Sequence, residues 1–328
     1  MRTPSALERV LDSQGFVVLD GGLATALESA GHILDTELWS AALLRDAPAA
    51  VGAAHEAFLV AGADCISTAS YQASVPGFAR RGLGTAEGEA LLRRSVDLAL
   101  EARRAFWAEP EHRVGRPGPL VAASVGPYGA YLADGSEYDG RYGVGRQALA
   151  AFHRRRLEVL ADTPADVLAL ETMPSLTEVE VLVEGLAEVT HPGAWISFSC
   201  RDGAELWDGS AIEDAVRRCA PEAGIIAVGV NCTAPIHVAS LVRRMRAATD
   251  IPILAYPNAG EAYDARTGKW SGPSAGAGWL ERVDEWIGAG ARIIGGCCRV
   301  GPDMIREIRR RMEDALGRRT DEDQERRS

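Results

Sequence analysis

The sequence predicts an α/β fold: a single (β/α)8 TIM barrel with extended βα loops. Two observations carry this. Eight short apolar runs each precede a helical pattern, which is the count and alternation of such a barrel. Residues able to do chemistry also stand where the runs stop, and a barrel carries its site at the carboxyl ends of its strands. A doubly wound open sheet is the alternative, but no G-x-G-x-x-G turn follows the first run.

In chain order, Phe16 to Leu19 is the first run and ends in Asp20-Gly21-Gly22. Pro48 opens a helix with Val51, His55, Phe58 and Gly62 on one face. Cys65 to Ser67 is the second run, leading into Thr68-Ala69-Ser70-Tyr71, and a long helical pattern covers Thr85 to Trp107. Leu120 to Val125 is the third, ended by Gly126-Pro127. A long polar loop from Tyr128 to Gly145 follows, then a helix to Ala161. Val167 to Leu170, ended by Glu171, is the fourth. Ser175 and Glu178 have capping-box spacing, as do Ser210 and Glu213 beyond the fifth run, Trp195 to Ser199. Ile225 to Val230 is the sixth, with Pro235 at a first helical position. Ile253 to Tyr256 is the seventh, followed by a second long loop from Pro257 to Gly276. Trp279, Val283, Trp286 and Ile287 mark a helix face. Arg292 to Ile294 is the eighth, and Pro302 starts a helix bearing Ile305, Ile308 and Met312. Residues 1–316 are expected to form the barrel, and 317–328 a charged, disordered tail.

The chain has 328 residues, 47% of them hydrophobic, enough for one large core. Its net charge of −11 argues against nucleic-acid or anionic-membrane partners. No uncharged apolar run approaches membrane-spanning length, and the first residues lack a signal-peptide core, so a soluble cytoplasmic protein is expected. Six cysteines in so long a chain are not a disulfide framework.

The most informative stretch is Ile293-Ile294-Gly295-Gly296-Cys297-Cys298-Arg299. Adjacent residues on a strand point to opposite faces, so two neighbouring thiols converge only where the backbone departs from regular strand. The glycines are expected to supply the unusual angles. Ala227-Val228-Gly229-Val230-Asn231-Cys232-Thr233 also ends an apolar run in a cysteine. Three thiolates from two strand ends look like a zinc site with one open position. Such a site is anionic overall. It activates water poorly but suits a fourth sulfur, which loses its proton yet stays nucleophilic. Alkyl transfer to a thiol is the natural task. Otherwise, vicinal cysteines form a redox pair or simply pack. Asp20 alone reads as a turn residue, Glu171 as half of a salt bridge, and Tyr71 as a core aromatic. Cys200, just past the fifth run, reads as a spare thiol, Cys65 and Cys219 as core. No pair of histidines has metal-ligand spacing.

From Asp20 to about Met304 the chain resembles the homocysteine S-methyltransferases. The resemblance is carried by Leu19-Asp20-Gly21-Gly22-Leu23-Ala24-Thr25, Thr68-Ala69-Ser70-Tyr71-Gln72-Ala73-Ser74 and Gly126-Pro127-Tyr128-Gly129-Ala130-Tyr131-Leu132. It continues through Glu171-Thr172-Met173-Pro174, Gly229-Val230-Asn231-Cys232, Tyr256-Pro257-Asn258-Ala259-Gly260-Glu261 and Gly295-Gly296-Cys297-Cys298. It implies that Cys232, Cys297 and Cys298 bind Zn2+. It further implies that Asp20 and Glu171 hold the homocysteine amino group, with Tyr71 lining that pocket, and that the product is methionine.

For the donor, the chain adds no folate or cobalamin region. Betaine-using relatives carry an aromatic after the matching glutamate, where this chain has Thr172. The Tyr128–Gly145 loop resembles the bacterial and plant branch that uses S-methylmethionine and, in some members, S-adenosylmethionine. A sulfonium leaves as a neutral thioether and needs no general acid. Trp39 and Tyr131 are candidates for holding the cation. A betaine-dependent enzyme, a vicinal-thiol redox or metal-sensing barrel, and a non-catalytic barrel with structural zinc are the alternatives. Metal content, fourth-ligand exchange and a donor panel separate them. The sequence leaves the oligomeric state open, a homo-oligomer included.

Overall fold

Eight parallel strands close around an apolar interior in the computed structural model, which describes residues 3–34, 40–260, 262–264, 269–271 and 277–317. The strands are β1 (Val17–Val18), β2 (Cys65–Ser67), β3 (Leu120–Val125), β4 (Val167–Met173), β5 (Ala194–Phe198), β6 (Ile225–Asn231) and β7 (Ile253–Tyr256). After a separate antiparallel pair, β8 (Ala262–Asp264) with β9 (Lys269–Ser271), β10 (Ile293–Ile294) completes the barrel. The order is β1-β10-β7-β6-β5-β4-β3-β2, and a parallel bridge between Leu19 and Cys65 joins the two ends. The expected barrel is therefore present.

Alternation along each strand explains why the runs read as almost continuously apolar. Val17, Leu19, Leu120, Ala122, Val167, Ala169, Trp195 and Leu254 share one buried cluster inside the barrel. Their neighbours Val18, Val121, Ala123, Leu168, Ile196 and Ala255 join a larger one beneath the surrounding helices. Parallel strands covered on both faces have no polar side to show. No helix among the described residues is long and apolar enough to cross a membrane.

Several local expectations need correction. A helix over Ala6–Gln14 precedes the first strand, with Ser5 and Glu8 forming a reciprocal capping box, and its Leu7 and Val10 enter the inner cluster. Ser210 does not cap: the next helix starts at Ile212 behind Ala211, with no side-chain cap bond. Ser175 does cap the helix Leu176–Ala187, but Glu178 completes no box, because its carboxylate is taken by other partners. The polar loop after β3 contains a short helix, Tyr128–Leu132, and a turn of 3-10 helix, Ser136–Tyr138. Beyond residue 317 the expected tail lies outside the described residues.

The seam between β1 and β2 is held by one buried carboxylate. Asp64 accepts the Val18 N–H at 3.0 Å and Gln14 Nε2 at 2.8 Å on Oδ2. Its Oδ1 accepts Arg309 Nη1 at 2.7 Å, from the last helix, Pro302–Met312, with Arg116 at 3.8 Å. Asp64 thus ties the N-terminal helix, the first strand and the C-terminal helix to the start of β2. Asp64→Ala leaves Arg309 with Glu313 and Arg116 with backbone carbonyls but removes the buried acceptor of the seam, and should cost about 3–5 kcal/mol. Urea unfolding checks this. An unchanged midpoint would mean that strand pairing alone holds the seam.

Candidate active site

The residues of the cavity at the carboxyl end of the barrel come from the last residues of the strands and from the segments that follow them. The cavity encloses about 890 Å³, counting the space at its open mouth. It is lined by the segment after β1 (Asp20 to Thr25, with Glu28), by Ser67, Thr68 and Tyr71, by Ser124, Glu137 and Tyr138, and by Glu171, Thr172, Cys232, Tyr256 and Gly296 to Cys298.

The Sγ atoms of Cys232, Cys297 and Cys298 lie within 4.8 Å of one another, and Cys297 and Cys298 are 4.0 Å apart. They come from the ends of β6 and β10, which flank β7. The chain after β7 stitches the two together: Cys297 N–H donates to Pro257 O at 2.9 Å, Ala259 N–H to Cys298 O at 3.0 Å, and Asn258 N–H to Thr233 O at 3.3 Å. On the other side Gly296 N–H reaches Asp20 O at 3.0 Å and Arg299 N–H reaches Thr25 Oγ1 at 2.9 Å.

The two glycines act differently from expectation. Neither Gly295 nor Gly296 has a positive φ; the left-handed residues are Cys232 at 45° and Arg299 at 68°. The glycines are needed for closeness. A Cβ on Gly295 would stand 2.6 Å from Leu19 Cβ, and one on Gly296 2.1 Å from Val300 Cγ1. Thr172 is also left-handed, at φ 64°. Such a backbone costs about 1–3 kcal/mol in a non-glycine residue and persists only where its surroundings impose it. Here the buried Asn231 does so: its Oδ1 accepts the Thr172 N–H at 2.8 Å and Ser197 Oγ at 2.9 Å, while its Nδ2 donates to Thr172 Oγ1 at 2.7 Å. One side chain thus braces both the residue after Glu171 and the residue before Cys232.

Asp20 and Glu171 are both buried. Asp20 accepts the Ser67 N–H at 2.7 Å and Ser67 Oγ at 3.3 Å. Burial pushes its pKa up to about 8; the Ser67 N–H opposes this, and the charge of Glu171 adds to it. Glu171 accepts the Ser124 hydroxyl, and burial raises its pKa against the Ser124 and Tyr256 hydroxyls. No cationic side chain among the described residues bonds either carboxylate, so Glu171 is not half of a salt bridge. Arg156, buried nearby, spends its guanidinium on carbonyls, donating to Tyr71 O at 2.8 Å and Gly126 O at 3.1 Å. That clamp sets the segment bearing Tyr71. Gly126 lies so close to it that a Cβ there would meet the Tyr71 ring at 2.7 Å.

The structure therefore brings Asp20, Tyr71, Glu171, Cys232, Cys297 and Cys298 into one cavity. Tyr131 is elsewhere. Arg80 lies 4.1 Å over its ring, which also packs on Tyr128 and Phe152, and it is not in the lining. Trp39 lies outside the described residues. Cys200 is buried in the outer core, pairs with Leu206 and is not in the sulfur cluster. Sequence reasoning passed over Ser67, Ser124, Asn231, Glu137, Tyr138 and Tyr256. A polar residue inside an otherwise apolar run, such as Ser124, or directly at its end, such as Asn231, is the available signal. Glu137 and Tyr138 were legible only as part of a long loop.

Comparison with known proteins agrees with this geometry. The family model described as Homocysteine S-methyltransferase matches residues 17–312. Homocysteine S-methyltransferase YbgG of Bacillus subtilis is 45% identical over 302 residues, spanning 92% of this chain and 96% of that one. Homocysteine S-methyltransferase of Escherichia coli is 43% identical over 313 residues, spanning 95% and 100%. Selenocysteine Se-methyltransferase of Brassica oleracea var. italica is 41% identical over 322 residues, spanning 94% and 92%. Among solved structures, the metallated form of the Escherichia coli homocysteine methyltransferase MmuM superimposes with a TM-score of 0.83 at 42% identity, over 93% of this chain and 99% of that one. On sequence and fold together, this chain belongs to the homocysteine S-methyltransferase family.

Proposed function

We propose that the protein is a zinc-dependent enzyme that moves a methyl group from a sulfonium donor to the thiol of homocysteine, giving methionine. The observation that carries this is the three-sulfur cluster sharing a cavity with two buried carboxylates that have no protein cation. Sulfurs bound at about 2.3 Å to one tetrahedral zinc ion are about 3.8 Å apart. The 4.0 Å between Cys297 and Cys298 fits that edge, and the third sulfur lies within reach. A soft all-thiolate set favours zinc over hard cations. Zinc bound there supplies the Lewis acidity that keeps a substrate thiol deprotonated near neutral pH.

The chain's own residues do the rest. Asp20 and Glu171 are proposed to receive the homocysteine ammonium, which supplies the counter-charge that burial makes valuable. Tyr71 walls that pocket beside the sulfur cluster. Methyl transfer breaks one carbon–sulfur bond and forms another. The bonding pair stays with the donor sulfur, which leaves as a neutral thioether and needs no proton, while the homocysteine thiol releases its own proton to solvent before transfer. We propose S-methylmethionine as the preferred donor. Thr172, small and braced by Asn231, occupies the place where betaine users have an aromatic ring, and so supports a sulfonium donor over betaine.

Each of Cys232→Ala, Cys297→Ala and Cys298→Ala should lose bound metal and activity together while remaining folded, because a large barrel core does not need the ion to fold. Metal analysis of the purified variants beside a turnover assay checks this. Full activity without metal would refute the mechanism.

Asp20→Asn and Glu171→Gln should each weaken homocysteine binding roughly ten- to a hundredfold, the worth of a charge-assisted hydrogen bond. Asp20 also sets a pH dependence. Its raised pKa of about 8 keeps it largely protonated at neutral pH, and an ammonium must expel that proton. Affinity for the product methionine, which has no thiol to titrate, should therefore rise with pH up to about 8, by at most about tenfold per unit. Calorimetry in buffers of different ionisation enthalpy should show proton release, reduced in Asp20→Asn. A pH-independent affinity would remove Asp20 from the amino-group role.

A donor panel of S-methylmethionine, S-adenosylmethionine, betaine and methyltetrahydrofolate with homocysteine should give the fastest turnover with S-methylmethionine. Faster turnover with betaine would overturn the donor assignment and leave the acceptor half intact.

A further inference from the structure

Besides the exposed Glu28, the cavity holds a further carboxylate that neither the sulfur cluster nor the acceptor pocket accounts for. Glu137 enters the lining from the turn Ser136–Tyr138, in the loop after β3. Its Oε2 is fully enclosed and has no hydrogen-bond partner among the described residues. It is also held in place. A Cβ on Gly129 would stand 2.4 Å from the Glu137 nitrogen, so the turn lies directly on the short helix Tyr128–Leu132. The buried Glu178 grips both roots of the loop. It accepts the Tyr128 N–H at 2.6 Å and the Tyr142 hydroxyl at 2.7 Å, with His153 Nε2 at 2.8 Å behind it. A rigid loop that presents an enclosed, unpartnered acceptor to a cavity is preorganised for a donor-bearing ligand.

The acidic groups fall into two poles. Asp20 and Glu171 act on each other. Glu171 also acts on Cys232 and Cys297, whereas Glu137 acts on Cys298 and, toward the loop, on Tyr71 and Tyr142. The proposed reaction brings two amino acids into this cavity, each with an ammonium group.

We propose that Glu137 is the specificity-determining carboxylate that receives the α-ammonium of the methyl donor, as Asp20 and Glu171 receive that of the acceptor. The assignment rests on the sulfonium-donor reading above. It selects the ammonium over the sulfonium for a physical reason. An anion beside the sulfonium would stabilise the reactant and lose that stabilisation as transfer neutralises the sulfur, which slows the reaction. The ammonium keeps its charge throughout, so binding it costs nothing at the transition state. The sulfonium is left to the uncharged ring of Tyr138 in the same lining, an electron-rich face suited to a weakly hydrated cation. Burial, with the charge of Asp134 added, pushes the Glu137 pKa up to about 7, as expected of a carboxyl whose counter-ion arrives with the ligand.

The test is Glu137→Gln, which keeps the volume and removes the charge. With S-methylmethionine varied, KM should rise roughly ten- to a hundredfold, while KM for homocysteine stays within about twofold. The sulfonium 4-(dimethylsulfonio)butanoate, the same donor without its amino group, should bind wild type more weakly than S-methylmethionine. Glu137→Gln should erase that preference, and Glu137→Asp should retain part of it. An unchanged donor KM, or an equal rise in the homocysteine KM, overturns the assignment while leaving the sulfonium reading standing. Wild-type turnover with betaine alone overturns both, since the trimethylammonium of betaine has no N–H to donate to Glu137. Should Glu137→Gln fail to fold, equal binding of the two sulfoniums to the wild-type enzyme is the overturning result.

Discussion

Three sulfurs can face one point only because the chain after β7 ties the ends of β6 and β10 together. Cysteines on flanking strands would otherwise stand apart by the width of the strand between them. The bonds from Cys297 to Pro257, from Ala259 to Cys298 and from Asn258 to Thr233 draw both loops onto that intervening segment. The remaining strain sits in Cys232 and Arg299, the left-handed residues bordering the cluster, and in Thr172 beside Glu171. Asn231 links the two strand ends, so a distortion at the sulfur side is transmitted to the carboxylate side. The sulfur cluster and the carboxylate beside Thr172 are thereby one mechanical unit.

The second organising force is electrostatic. Asp20, Glu171 and Glu137 are carboxyl groups whose pKa values burial raises, and the buried Arg156, which acts on Glu171, is turned onto backbone carbonyls. A cavity with this balance is costly to keep charged when empty and favourable to fill with cations. Amino acids with free ammonium groups and a sulfonium supply that charge in the proposed reaction.

Glu178 shows how an ordinary helix start can be put to use. Its spacing from Ser175 is that of a capping box, yet its carboxylate faces inward to Tyr128, Tyr142 and His153. The capping serine still closes the helix end. The glutamate instead anchors the loop that delivers Glu137 and Tyr138, and so couples the packing of two outer helices to the shape of the cavity mouth.

The barrel was legible in the sequence because parallel strands buried on both faces must be apolar throughout, and eight such runs alternating with helices allow few other arrangements. The grouping of Asp20, Tyr71, Glu171 and the three cysteines was legible too, since a barrel gathers whatever follows its strands. The N-terminal helix, with its Ser5–Glu8 box in plain view, was overlooked. The role of the glycine pair was misread, because sequence shows that a glycine is permissive but not whether angle or clearance is needed. Clearance is set for Gly295 by Leu19, far away along the chain, and for Gly296 by the way the turn folds Val300 back over it. The same holds for the clasp of Asn231 on Thr172 and for the enclosed oxygen of Glu137. Each depends on distances between segments far apart in sequence, which local pattern does not encode and only the closed barrel determines.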